Sequence, residues 1–329
     1  MENIPPELLA HFIDRDDFCY PEWPAISQKV AEASLPKEYQ VLLWRELVLT
    51  WLQRLLPNFG PGYKIHETES FFLVADPAGK VVRDYTAFLE QARTRLHEWL
   101  QGAAWITGDG KHVVLLFDDA DVYYRYIAPY FDEGEHTSSS GFFLRSLGYC
   151  HIALCHRNPS SRKLLAYLLT LNTLYHLPLP KWLSSGLARD FSDTLFSPSD
   201  HAHISRRPVN QNFWISAQDR ADHLAFWNSS TIQQFWSNRG LKIPEGTSAL
   251  GIQLSRILIN KIKETTRPAP AQLGAFLQSA HHNDAGAAAS IDHLHVKLGD
   301  LVADFLGPGD WEPQPALWTP PNAPTSTQQ

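Results

Sequence analysis

Residues 162–191, RKLLAYLLTLNTLYHLPLPKWLSSGLARDF, constrain this chain more than any other stretch. The segment LLAYLLTLNTLY is leucine-rich and has helical spacing, so it reads as a buried helix. The Leu-Pro-Leu-Pro loop after His176 ends it, because a proline gives no N–H to a continuing helix. Pro180 then opens a second helix, KWLSSGLARDF. A buried central helix needs other elements to cover it, and the residues upstream supply them.

Helical periodicity dominates residues 1–60. Tyr39–Leu56 repeats apolar residues every three or four positions, and Pro57-Asn58-Phe59-Gly60-Pro61-Gly62 breaks that pattern. From Tyr63 the pattern changes to strand-like alternation in YKIHETESFFLVAD. Asp84–Leu100 returns to a helical stripe of Phe88, Ala92, Leu96 and Trp99. HVVLLFD, residues 112–118, is nearly all apolar and reads as a central strand, and the carboxylates of Asp118, Asp119 and Asp121 suit the start of the helix after it. Gly141-Phe142-Phe143 and Gly148–Cys155 read as a hairpin whose second arm is an edge strand. Beyond residue 229, four segments carry helical periodicity: 230–238, 248–263, 271–279 and 285–306.

The expected fold class is therefore α+β: a small mixed β-sheet packed on helices, followed by an all-helical C-terminal region. The expected parts are a helical N-terminal extension (1–60), an α+β subdomain (61–200), a helical subdomain (201–312) and a disordered Pro/Thr/Gln tail (313–329).

Composition narrows function by exclusion. The net charge is −7 with no basic stripe, so binding to nucleic-acid phosphates is not expected. No apolar run approaches membrane-spanning length, and the acidic N-terminus lacks the pattern of a signal peptide. Three cysteines, Cys19, Cys150 and Cys155, do not make a disulfide framework. A cytoplasmic setting without membrane contact is the expectation.

The 162–191 stretch, with the flanking segments FLVAD, HVVLLFD and GYCHIALCH, resembles the gluzincin metallopeptidases, and in particular an uncharacterised bacterial group in that lineage. The resemblance covers about residues 63–313. The family carries H-E-x-x-H on one helix and P-x-W-L-x-E-G-x-A at the start of the next. Two imidazoles at i and i+4 converge on one zinc ion, the first glutamate activates the bound water and the second closes the ligand set. Pro180, Trp182, Leu183, Gly186 and Ala188 match the second half. The chemistry is missing from the first. Ala166, Tyr167 and Thr170 stand where His, Glu and His belong, and Ser185 stands where the ligand glutamate belongs. No His, Cys or carboxylate lies between Arg162 and Tyr175, so no shift of register restores a site. The resemblance thus implies a zincin-like fold, and the substitutions imply a catalytically inactive homologue with no zinc or other cofactor, acting through an unknown protein or peptide partner.

In this lineage a peptide pairs with the edge strand beside the active-site helix. That makes Gly148–Leu154 the expected peptide-binding strand, with His151, Ala153, Trp182 and His176 around a candidate groove. Two other readings stay open. One is an active zinc hydrolase with non-standard ligands drawn from His176, His151 and Asp190. The other is a purely structural assembly partner in which Trp182 is core. Cys150-His151 and Cys155-His156 split across the two faces of a strand, which does not favour a four-ligand metal site. His201/His203 and His293/His295 read as loop or surface residues, Asp284 as a helix cap, and Ser184-Ser185-Gly186 lacks the strand–turn context of a nucleophile elbow.

Overall fold

The computed structural model describes residues 4–15, 17–76, 79–100, 111–131, 139–146, 149–157, 160–196, 216–237 and 245–318. The chain forms two compact units, residues 1–96 with 106–172, and residues 97–105 with 173–329.

The first unit is α+β. Its elements are α1 (Pro6–Leu9), β1 (Phe12–Arg15), β2 (Phe18–Pro21), α2 (Trp23–Glu32), α3 (Lys37–Phe59), β3 (Lys64–Glu67), β4 (Phe71–Ala75), α4 (Gly79–Leu100, whose last turn belongs to the second unit), β5 (His112–Phe117), α5 (Ala120–Ile127), β6 (Gly141–Ser146), β7 (Tyr149–Cys155) and α6 (Ser161–Leu174). Strands β3–β7 form one mixed sheet in the order β3-β4-β5-β7-β6. The pairs β4–β5 and β5–β7 are parallel, and β3 and β6 run antiparallel at the two ends. The apolar run HVVLLF is central, as its lack of polar alternation predicts.

Strand alternation gives the sheet two apolar faces. Phe72, Val74, Val113, Leu115, Phe117, Leu144, Tyr149 and Ala153 share one core with α2, α3 and α5. Trp23, Trp44 and Tyr149 pack ring on ring there, with centroids 5.0 Å apart for Trp23–Tyr149 and 6.2 Å for Trp44–Tyr149. Trp51, fully buried, donates its indole N–H to the Cys19 carbonyl at 3.0 Å, which satisfies its one polar atom. On the other face lies α6. A Cβ on Gly141 would sit 3.1 Å from the end of the Leu164 side chain of α6 and 2.6 Å from that of Leu154 of β7, so any larger residue would displace these side chains. Asn172 and His112 join α6 to β5 at 2.8 Å, and Tyr85 of α4 meets Ser161 of α6 at 2.7 Å.

Three expectations change here. Residues 12–15 and 18–21 are paired antiparallel strands, not helix. The N-terminal sixty residues are no extension, since they supply half of the core that buries one face of the sheet. And β7 is not an edge strand: β5 pairs along one side of it and β6 along the other, leaving β6 as the terminal strand.

The second unit is helical: α7 (Lys181–Leu195), α8 (Ala217–Phe226), α9 (Ser229–Trp236), α10 (Glu245–Thr266), α11 (Pro270–Ser279), the single turn α12 (Ala287–Ala289), which runs on as a π-helical turn (Ser290–Leu294), and α13 (Leu298–Leu306). Capping boxes open α8 and α9, from Ser216 with Asp219 and from Asn228 with Thr231. The continuous helix expected over 285–306 is interrupted. Ala285 and Gly286 adopt left-handed conformations before it, and His295 does so in the middle. The tail expectation holds for none of residues 313–318, where Pro313 is buried and Trp318 donates to Gln233 at 3.0 Å. Residues 319–329 lie outside the described residues.

Candidate functional site

The two halves of the motif segment fall in different units, so each is described by itself. On α6, Ala166 and Thr170 are fully buried and Tyr167 is half-buried. The Thr170 hydroxyl donates to the Ala166 carbonyl at 2.9 Å, the back-bond of a buried threonine inside a helix. Of the side chains one turn apart on this face, one is a methyl group and the other is bonded to its own backbone.

On α7 the matched residues have packing roles. Pro180 precedes the first turn with extended backbone. Trp182 is fully buried, packs edge-on against Trp236 at 5.7 Å and donates its indole N–H to the Ala285 carbonyl at 2.9 Å. That carbonyl is presented by the left-handed Ala285-Gly286 corner, and Asp284 caps the turn after it by accepting from Gly286 and Ala288. Asp284 is thus a cap, as its position predicts. Gly186 faces α10, where an added Cβ would lie 2.6 Å from the Ser255 carbonyl oxygen. Ser185, at the position of the ligand glutamate, is buried. Charges seal the same α7–α10 contact. Lys263 pairs with the buried carboxylate of Asp190, and Arg256 with Asp193 at 2.9 Å.

The four groove residues fall in different units, His151 and Ala153 in the first and His176 and Trp182 in the second. His151, Ala153 and Trp182 are each 0% exposed, and only His176 is exposed. His151 points into the sheet–helix core because odd residues of β7 face that side. Its Nε2 lies 2.7 Å from the Tyr126 hydroxyl, and the rings of Trp51 and Tyr130 close around it at 5.0 and 5.7 Å. Nδ1 has no partner among the described residues. Burial pushes the imidazole pKa down to about 3, so the ring is neutral at any ordinary pH.

The alternative ligand trio gains no support from these placements. His151 is walled in by aromatic rings and Asp190 is held by Lys263. Among the described residues, no group of three or more His, Cys, Asp or Glu side chains could hold a metal ion. Cys150 and Cys155 form no disulfide. His156 instead sits 3.2 Å from Asp118, whose carboxyl is held below its ordinary range mainly by Arg157. Asp119 caps α5 through the Asp121 and Val122 amides, the role read from its position. His293 meets Ser279 at 3.1 Å, and His201 and His203 lie outside the described residues.

Sequence reading missed the part-buried pair His112–Asn172 and the buried pair His151–Tyr126. The available signal was a lone histidine inside an otherwise apolar strand, which requires a polar partner across the core. No protein-family model matches the chain, and no curated protein matches it in sequence. Among the described residues, no helix is long and apolar enough to cross a membrane.

Proposed function

We propose that this chain is a catalytically silent relative of the gluzincin peptidases, of zincin-like fold, that works without zinc by binding a protein or peptide partner. One observation carries the reading. The helix in the motif position bears Ala166 and Thr170 where a metal would need imidazoles, and both are buried with the single hydroxyl already bonded. In the flanking Pro-x-Trp-Leu-x-x-Gly segment Trp182 and Gly186 each have a packing partner, which would let the frame outlive the chemistry.

The receiving edge in this reading is β6 rather than β7. β6 is the terminal strand of the sheet, and its central residues are Phe142, Phe143 and Leu144. The opposite terminal strand, β3, is guarded by charge: Glu67 is bound by Arg45 and Lys111 at 2.9 Å each. Natural sheets place such charges where strand addition is to be prevented. A six-residue terminal strand with an apolar centre suits an added peptide strand.

Metal analysis and peptidase assays test the first part. The purified chain should carry no stoichiometric zinc, before or after zinc addition, and should leave unfolded casein intact. One zinc per chain with chelator-sensitive cleavage would overturn the reading. For the second part, peptides selected on the immobilised chain should slow amide exchange in residues 141–146. Selected binders that protect other segments only would remove β6 from the reading. A second reading, a structural partner in an assembly, is favoured by the complete burial of Trp182, which makes it core rather than groove.

A further inference from the structure

The second unit contains a groove of about 520 Å³ between α9 and the segment 310–318, unrelated to the motif helices. Its volume is within the usual range for small-molecule sites. Ser229, Ser230 and Gln234 form one wall, Asp310 and Trp318 the other, and Gln233 the floor. We infer that this groove is a binding site for a neutral saccharide.

The lining chemistry argues for that class. Among the described residues no lysine, arginine or histidine lines the groove, so they offer no counter-charge to a phosphate or carboxylate ligand. Asp310 is the only acid among the described lining residues, which is too few for a cation. Most of the remaining groups are hydroxyls and amides, which both donate and accept, as sugar hydroxyls do. Ser229, Ser230 and Gln234 are exposed, so their hydroxyls and amide are accessible to a ligand. Asp310 accepts from Gln314 through one oxygen at 2.8 Å, leaving the second for a ligand. A carboxylate oxygen accepting from a hydroxyl is among the stronger neutral-ligand contacts.

Trp318 supplies the apolar part. Its indole N–H is bound to Gln233, so the ring contributes surface to the groove and not a donor. Gln233 also donates to the Glu312 carbonyl at 2.8 Å and accepts from the Gln314 amide at 2.9 Å. One buried amide thereby fixes the whole outer wall against α9. The site is held in shape before any ligand arrives, which lowers the entropy cost of binding.

The test is calorimetric titration of the full chain with maltotriose, cellotriose and chitotriose, and with glucose and glucose 6-phosphate as a pair differing in charge. Saturable binding of at least one trisaccharide is expected. Asp310→Ala and Gln234→Ala, both exposed and outside the Gln233 hub, should each weaken it about tenfold or more with unchanged thermal midpoint. Trp318→Ala should abolish it. Absence of saturable binding by all three trisaccharides overturns the inference. So does tighter binding of glucose 6-phosphate than glucose, or binding unaffected by both wall variants.

Discussion

His151 is the residue whose chemistry the fold changes most. Its pKa is 6.5 in an open chain and about 3 in the folded core, where burial disfavours the imidazolium. Between those values the unfolded chain takes up a proton that the folded chain refuses. The stabilisation from holding the ring neutral is therefore complete above pH 6.5 and is lost progressively as pH falls toward 3. At about 1.4 kcal/mol per pH unit, the loss between pH 7 and pH 4 is on the order of 3 kcal/mol. His112, lowered to about 4 chiefly by burial, acts in the same direction. His151→Gln keeps a hydrogen-bonding group against Tyr126 but cannot titrate. Urea unfolding at pH 7 and pH 4 should show the parent losing markedly more stability than the variant. Equal losses would mean that the buried imidazole is not the acid-labile element. The same residue marks the reach of sequence reading. His151 was legible as a half of a strand pair, but its partner Tyr126 lies 25 positions away on a helix, and only the packed core joins them.

At the scale of elements, local pattern was readable and order was not. The apolar run of β5 placed it correctly at the sheet centre, and the helical stripes of α3, α6, α9 and α11 fell within a few residues of their expected ends. The hairpin β1–β2 was hidden because each strand is four residues long, too short for periodicity to register. Its available cue was the Asp16-Asp17 pair between two aromatic-rich runs; Asp17 adopts φ 73°, a turn conformation that aspartate tolerates. The edge assignment of β7 failed for a different reason. Strand order is a tertiary property, and burial along Tyr149–Cys155 on both faces is what an interior strand needs. The α7–α10 contact offers an element-scale prediction. Gly186→Ala places a methyl 2.6 Å from the Ser255 carbonyl, so the helices must part or tilt. The expected cost is about 1–3 kcal/mol in chemical denaturation. Ser185→Ala, one residue away, adds no volume and should cost well under that. Similar effects from both would mean that close approach of the two helices is not what the glycine serves.

At the scale of the molecule, the sharpest consequence concerns residues 1–60. Read as sequence, they look like a helical extension that could be removed at the Pro57–Gly62 break. In the folded unit they cover the sheet. Phe18, Trp23, Ile26, Trp44, Leu47, Val48, Trp51, Leu52 and Leu55 are all at most 2% exposed, and they bury Val113, Leu115, Phe117, Tyr149 and Ala153. Fully burying one large apolar side chain contributes roughly 1.5–3 kcal/mol. Nine such groups, with the strand residues beneath them, exceed the 5–15 kcal/mol by which a typical domain is stable. A chain beginning at residue 61 should therefore lose the first unit, even though its sheet-forming segments are all present. Because the second unit could retain helix by itself, circular dichroism alone cannot decide the matter. Hydrogen exchange over residues 113–117 can. In the full chain these amides sit in the middle of a five-stranded sheet and should exchange slowly. In the truncated chain they should exchange as an open strand does, or the protein should aggregate through the exposed face. Slow exchange at Val113–Phe117 in a soluble truncated chain would mean that the sheet is covered some other way, and would restore the N-terminal segment to the status of an extension.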